Sequence, residues 1–348
     1  MSLALPAQAR HQPWLVRYCA VALVFTTFVL FAGAFTTSIH AGMAFKDWPL
    51  SNGSLNPPGW ISDEDMRAEH SHRLLAESVG FLSLGAMVWI LRTEKRRWIR
   101  RLSIALVLMI VFQGILGGSR VLFDKLNIGS TSNVVAQTFA VLHATGAEIT
   151  LCLWVTLTAA LSRGWIVRGV GTTSVSVTVR RWAALAVTLL FLQIIIGAVV
   201  RQGGYALAVP YFPFSGPGHE LLPPGWNWGV VVNLAHRVGA GLVTIALCGL
   251  AINVFRDPAA RRQLGAWMAV ILATLVLQVF LGALVIWTLK NPDAATTHML
   301  VGAFLLASTW LLTLLAHRAV WWPNAAAEYA IPSDAATPAA SSVVTRPA

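Results

Sequence analysis

Four of the nine histidines share an address. His72, His143, His236 and His298 each lie near the start of an even-numbered apolar run of the chain. Polar side chains inside such runs cost free energy and are functional candidates by default. Two imidazoles on separate facing helices can sandwich a planar metal centre, one on each side, as in a bis-histidine heme held by a helical bundle. Two such pairs make two heme sites, with His72 and His143 in one and His236 and His298 in the other. A bare metal ion would want further carboxylate or thiolate ligands, and the surroundings of these histidines offer few. A lone membrane histidine is more often an interhelical hydrogen-bonder; four at equivalent positions favour the ligand reading.

One carboxylate accompanies them. Glu69 stands three residues before His72, on the same helical face. The matching position before His236 is Asn233. The second pair therefore reads as a heme held for electron transfer, and the first as a heme site with an added acid. His70 is rotated by about 100° from that face, which leaves His72 as the ligand. The plain alternative for Glu69 is an i,i+4 ion pair with Arg73. Arg73 and Arg237, each following its histidine, are candidate contacts for heme propionates. His40 and His219 read as ordinary loop histidines.

The elements that position these residues follow from composition. Of 348 residues 56% are hydrophobic and only 11% charged, against roughly 25% charged in soluble domains. Such a chain must be dissolved in lipid. A span needs about 20 mostly apolar residues, and eight fit, at approximately 14–38, 69–90, 102–123, 134–161, 182–200, 229–254, 265–289 and 295–316. All sixteen prolines fall outside them. The expected fold is an all-α integral membrane protein. The three cysteines, Cys19, Cys152 and Cys248, lie inside apolar runs and read as buried small hydrophobes.

The net charge of +11 is an orientation signal rather than a nucleic-acid surface. With the N-terminus in the cytoplasm, 17 Lys and Arg lie in inner segments and five in outer loops. Both termini are then cytoplasmic, and the long loops 39–68 and 203–228 lie outside with the four histidines. The first run is too long for a cleaved signal and reads as an anchor. The Ala/Ser/Pro-rich tail, 319–348, is expected to be disordered.

The chain also repeats itself. Gly33-Ala34 matches Gly197-Ala198 and His72-Arg73 matches His236-Arg237, each 164 residues on. Pro57-Pro58-Gly59-Trp60 matches Pro223-Pro224-Gly225-Trp226, and Gln113-x-x-x-Gly117 matches Gln278-x-x-x-Gly282. Two duplicated four-helix bundles are expected, 14–163 and 182–318, with 1–13 and the linker 164–181 cytoplasmic. Gly117-Gly118, Gly197 and Gly282, each four or five residues after a glutamine, would let a helix or a flat porphyrin approach closely.

Glu69-x-x-His72-Arg73 at the outer end of the second span, single histidines near the outer ends of the fourth, sixth and eighth, and the duplicated frame resemble heme A synthase. The resemblance covers residues 14–318, and Gly42 to Pro49 resembles that family's loop stretch ending in Asp-Trp. It implies oxidation of the C8 methyl of heme O to a formyl group, giving heme A for terminal oxidases. It further implies that His72 and His143 flank the substrate heme O, that His236 and His298 ligate a heme b cofactor, and that Glu69 is the catalytic carboxylate. The implied setting is the cell inner membrane, with heme O synthase and cytochrome oxidase assembly factors as partners. Two features depart from the family: the outer loops carry no cysteine, and Thr36-Thr37 stand where Thr-Arg is common. The competing functions are a bis-histidine cytochrome b and a heme carrier without catalysis. A cytochrome passing electrons across the bilayer would set its hemes at two depths, whereas these four histidines share one.

Overall fold

The computed structural model of the chain describes residues 11–125, 133–167 and 175–321. Eight of its helices are long and apolar enough to cross a membrane. They are α1 (Pro13–Ser38), α2 (Glu64–Thr93), α3 (Arg97–Lys125), α4 (Val134–Leu161), α6 (Val177–Gln202), α7 (Trp228–Arg256), α8 (Pro258–Trp287) and α9 (Pro292–Trp321), with a short α5 (Arg163–Val167) between α4 and α6. No strand occurs among the described residues beyond a single bridge, Ser51 to Ser54. The protein is an all-α, multi-pass membrane protein. The expected disordered tail beyond Trp321, most of the N-terminal segment and residues 168–174 of the linker lie outside the described residues.

Backbone groups in hydrocarbon must bond within their own segment, and this makes each apolar run a helix. Several helices start earlier than the apolar runs, because their first turns are polar and carry the caps. Asp63 accepts from Met66 N at 2.8 Å, Asn133 from Ala136 N at 3.0 Å and Asn227 from Val230 N at 3.0 Å. Asp257 does the same for α8, with Pro258 in its first turn. The Ala260 N–H, joined by Ser176 and the Ala259 N–H, outweighs burial and holds the Asp257 carboxyl below its usual range.

Apolar side chains fill one end of the molecule. Leu15, Cys19, Ile90, Ile99, Leu106, Trp154 and Leu157 pack together from α1 to α4. Val179, Leu247, Leu250, Leu264, Met268 and Leu312 pack together from α6 to α9. All sit toward the ends joined by short connections. The opposite end, where residues 39–63 and 203–227 form long loops, carries the histidines. Between the two cores, α1, α4, α6 and α9 touch one another. Polar bonds cross this seam: Trp310 Nε1 donates to Thr156 Oγ1 at 2.8 Å, and Ser38 Oγ lies 2.9 Å from Thr296 Oγ1. Arg201, at the end of α6, donates to Ala34 O and, at 2.8 Å, to Ser38 Oγ on α1.

Candidate functional site

The helices pair antiparallel, and each pair seats one histidine against one glycine. A Cβ added to Gly33 of α1 would lie 2.8 Å from His72 Nε2 on α2. The same atom on Gly117 of α3 would lie 3.2 Å from His143 Cε1 on α4. On Gly197 of α6 it would lie 2.9 Å from His236 Cε1 on α7, and on Gly282 of α8, 3.1 Å from His298 Cε1 on α9. Gly33, Gly117, Gly197 and Gly282 thus receive imidazole edges, whereas Gly118 meets the Trp48 ring instead. Missing side chains on one helix let the ring of the next lie flat against its backbone.

The histidines meet in twos. The rings of His72 and His143 stand edge to face with centroids 6.4 Å apart. An imidazole nitrogen binds a transition metal at about 2 Å, which sets the centroids of two axial ligands roughly 6 Å apart. The first pair therefore has the spacing that a heme iron between two imidazoles requires. His236 lies within electrostatic reach of His298. His143 Nδ1 sits 3.1 Å from the Gln113 carbonyl. A carbonyl only accepts, so Nδ1 carries the proton and Nε2 presents a lone pair, the form that ligates iron.

His70 is turned elsewhere. It is buried, its Nδ1 lies 3.1 Å from Ser51 Oγ, and its ring packs between Phe45 and Trp60 at centroid distances of 5.9 and 4.7 Å. It fastens the loop 39–63 rather than facing His143. His40 and His219 are exposed in the loops.

Glu69 is buried at 4% exposure. Its Oε2 accepts from Phe45 N at 3.1 Å, and its Oε1 forms the i,i+4 pair with Arg73. Arg73 also donates to Asp47 O at 2.9 Å and Leu50 O at 2.6 Å. In the other half, Asn233 Nδ2 donates to Tyr205 O and Ala206 O, both at 2.9 Å. Arg237 donates to Phe214 O at 3.0 Å and Val209 O at 2.6 Å. Leu50 and Phe214 are themselves 164 residues apart, as are Arg73 and Arg237. Both arginines are thus occupied with loop carbonyls and hold each loop down over its histidines. Within the first loop, burial pushes the Asp47 carboxyl up. The N–H groups of Gly53 and Asn52, at 2.7 and 2.8 Å, outweigh it and hold the group below its usual range.

Two half-buried arginines stand outside the expected site residues. Arg120 on α3 acts electrostatically on Glu69, His72 and His143, and its guanidinium lies against Gly42 of the loop. Arg201 acts on His298. The available signal was position: Arg120 sits inside an apolar run, where an arginine is costly and faces the protein interior. Neither has a counterpart under the repeat, since Thr37 stands 164 residues before Arg201 and Val285 stands 165 after Arg120. A further detail concerns glutamine. Gln113, Gln193 and Gln278, four residues before three of the glycines, each pack against a glycine just beyond the facing histidine: Gly146, Gly239 and Gly302.

A helical membrane protein with two facing histidine pairs at one end, and a buried carboxylate beside only one of them, is the class that fold and site define. The chain belongs to the COX15-CtaA family of cytochrome oxidase assembly proteins, whose family model matches residues 65–310. It is similar to proteins named heme A synthase. The one from Listeria monocytogenes is 28% identical over 305 residues, covering 86% of this chain and 95% of that protein. Those from Geobacillus kaustophilus and Lysinibacillus sphaericus are 27% and 24% identical, covering 92% and 89% of this chain and 96% and 97% of theirs.

Proposed function

We propose that this chain makes heme A, oxidising the C8 methyl of heme O to a formyl group for terminal cytochrome oxidases. The observation that carries the reading is the 6.4 Å pairing of His72 with His143, beside the buried Glu69, in one half only. His72 and His143 would hold the substrate, heme O. His236 and His298 would hold heme b, which supplies electron transfer when bound.

Glu69 acts as the reactive carboxylate of the first site. It lies one helical turn from His72, and Arg120 couples it electrostatically to both histidines of that pair. Its role is to orient or deprotonate a water at the methyl carbon, or to oppose positive charge developing there. Arg73 and Phe45 N hold the carboxylate in place, and the loop they fasten keeps bulk water off the site. Arg120 in the first site and Arg201 in the second are placed to meet heme propionates, with Arg73 and Arg237 closing the loops above them.

The excess of Lys and Arg in the short connections supports an inner-membrane orientation with cytoplasmic termini and heme sites toward the outer face. The repeated spacing supports two duplicated halves, 14–163 and 182–318. Heme O would arrive from its synthase, and heme A would pass to oxidase assembly factors. The test is to co-express the chain with a heme O supply and to chromatograph the extracted heme. A heme A peak is expected. Unaltered heme O from folded, heme-loaded protein would overturn the reading in favour of a carrier or a cytochrome.

A further inference from the structure

Three of the four helix pairs carry the same reciprocal register. Gln113-x-x-x-Gly117 faces His143-x-x-Gly146. Gln193-x-x-x-Gly197 faces His236-x-x-Gly239, and Gln278-x-x-x-Gly282 faces His298-x-x-x-Gly302. In each, the glycine of one helix receives the imidazole, and the glycine of the other receives the glutamine side chain. The glutamine turn thereby lies at the Nδ1 side of the ring. His143 Nδ1 bonds to the Gln113 carbonyl at 3.1 Å. Gln193 Nε2 lies 3.0 Å from His236 Nδ1 and donates to the His236 carbonyl at 2.7 Å. The Gln278 backbone lies toward His298, although His298 Nδ1 closes no hydrogen bond.

The fourth pair breaks the register. Gly33 receives His72, but four residues before it stands Val29, and three residues after His72 stands Leu75. Among the described residues no side chain of α1 hydrogen-bonds the His72 ring. The ring's closest approach to Gly33 is through Nε2 itself, whereas the other three imidazoles turn Cε1 to their glycines.

We propose that the glutamine–glycine register is a clamp that seats three imidazoles as firm axial ligands, two of them with a hydrogen-bond partner at Nδ1, and that His72, which faces no glutamine, is the ligand that releases. The proposal rests on the assignment of His72 and His143 to the substrate heme. An axial histidine whose other nitrogen is hydrogen-bonded is held in one tautomer and one orientation, and loss of such a partner typically costs 10- to 100-fold in metal affinity. With iron on Nε2, the Nδ1 proton of His236 needs an acceptor. As it stands Gln193 Nε2 faces Nδ1 and donates to the His236 carbonyl, so taking up that proton requires the amide to turn and give up the carbonyl bond. A cofactor should not leave between turnovers, and a product must. The heme of the first site is thus held firmly from the His143 side and loosely from the His72 side.

The test uses the full chain in lipid nanodiscs, loaded with heme, with apomyoglobin as acceptor for heme that leaves. The double variant His236→Ala/His298→Ala isolates the first site, and His72→Ala/His143→Ala isolates the second. The first site is expected to lose heme at least about tenfold faster. In the isolated second site, Gln193→Leu should speed heme loss about tenfold and raise the midpoint potential. Gln193→Glu, a stronger acceptor for the Nδ1 proton, should restore slow loss and lower the potential. A purely packing role for Gln193 would move the potential the same way in both variants. Val29→Gln/Leu75→Gly, with Val29→Gln alone as the milder change, should slow loss from the first site. Equal rates from the two sites, or a potential unmoved by both Gln193 variants, would overturn the clamp while leaving heme A synthesis by the wild type intact. If His72→Ala/His143→Ala retains both hemes, the site assignment fails instead.

Discussion

Glu69 on α2 and Asn233 on α7 stand at matching places, three residues before His72 and His236, and both reach into the loop above. They do so with opposite polarity. The carboxylate accepts the Phe45 N–H and the Arg73 guanidinium, whereas the amide donates to the carbonyls of Tyr205 and Ala206. Loop anchoring therefore requires only a polar side chain at this position, and an amide suffices. A buried carboxylate costs more to desolvate than an amide. Its presence in one half, with Arg73 and Arg120 arranged around it, shows that the first half carries an ionisable group that anchoring alone does not call for.

The sharpest way to break this comparison is to remove each side chain in turn. Glu69→Ala should retain heme and lower heme A formation by about 10²-fold or more, as expected for loss of an acid–base group. Asn233→Ala should lower it by no more than about threefold, since only loop bonds are lost. Heme extraction and chromatography of both variants decides the matter. If Asn233→Ala is as damaging as Glu69→Ala, the two residues are equivalent anchors.

A smaller effect separates the glycines. In Gly197→Ala the new Cβ meets His236 at 2.9 Å while Gln193 holds that ring from the other side. Overpacking of this kind costs about 1–3 kcal/mol, so heme in the second site should bind about tenfold more weakly. In Gly33→Ala the contact with His72 is equally close at 2.8 Å, but the ring has no partner on α1 and can turn away. Titration of heme into each variant should show the smaller loss for Gly33→Ala. The reverse order would remove the distinction between a held and an unheld histidine.

The smallest effect lies outside both sites. Glu94, in the turn between α2 and α3, is buried with Arg96, which bonds it at 2.7 and 3.0 Å and reaches Ala160 O on α4. Burial pushes the Glu94 carboxyl up, but the Arg96 hydrogen bonds outweigh this and hold it below its usual range. Its contribution is thus present above the unfolded carboxylate range and is lost as pH falls below it. Breaking such a buried pair costs about 3 kcal/mol. Glu94→Gln should lower the melting temperature at neutral pH, and the gap from wild type should narrow on acidification below about pH 4. Between α7 and α8 the cap Asp257 is also held below its usual range, so the second half should show acid sensitivity too, there from a helix cap rather than from a buried ion pair.

Much of the fold was legible because hydrocarbon leaves the backbone few options. Eight apolar runs had to be helices, and only their polar first turns escaped the apolar windows, as at Glu64–Asp65 and Arg97. The site was legible in part. Histidines inside apolar runs signal themselves by their cost, and the repeat paired them. The occupation of Arg73 and Arg237 by loop carbonyls was not visible, because loop conformation follows from many weak bonds rather than a period. Arg120 stands within the third apolar run, and that place alone marks it as interior. The clamp was half visible: the glutamines were noticed before their glycines, but the second glycine beyond each histidine has meaning only once antiparallel helices are laid together.

The hold of Arg201 on α1 has a consequence for how the chain can be divided. Helix α1 has no basic residue in its last turn to complement its negative end. That cation comes from α6, whose guanidinium reaches Ala34 O beside Gly33, the residue that seats His72. One half therefore completes the helix terminus of the other. Cut apart, α1 would keep its backbone caps but lose the cation at its negative end, and Arg201 would keep only its bond to Ala295 O on α9. A terminus completed across the seam ties the two sets of helices together.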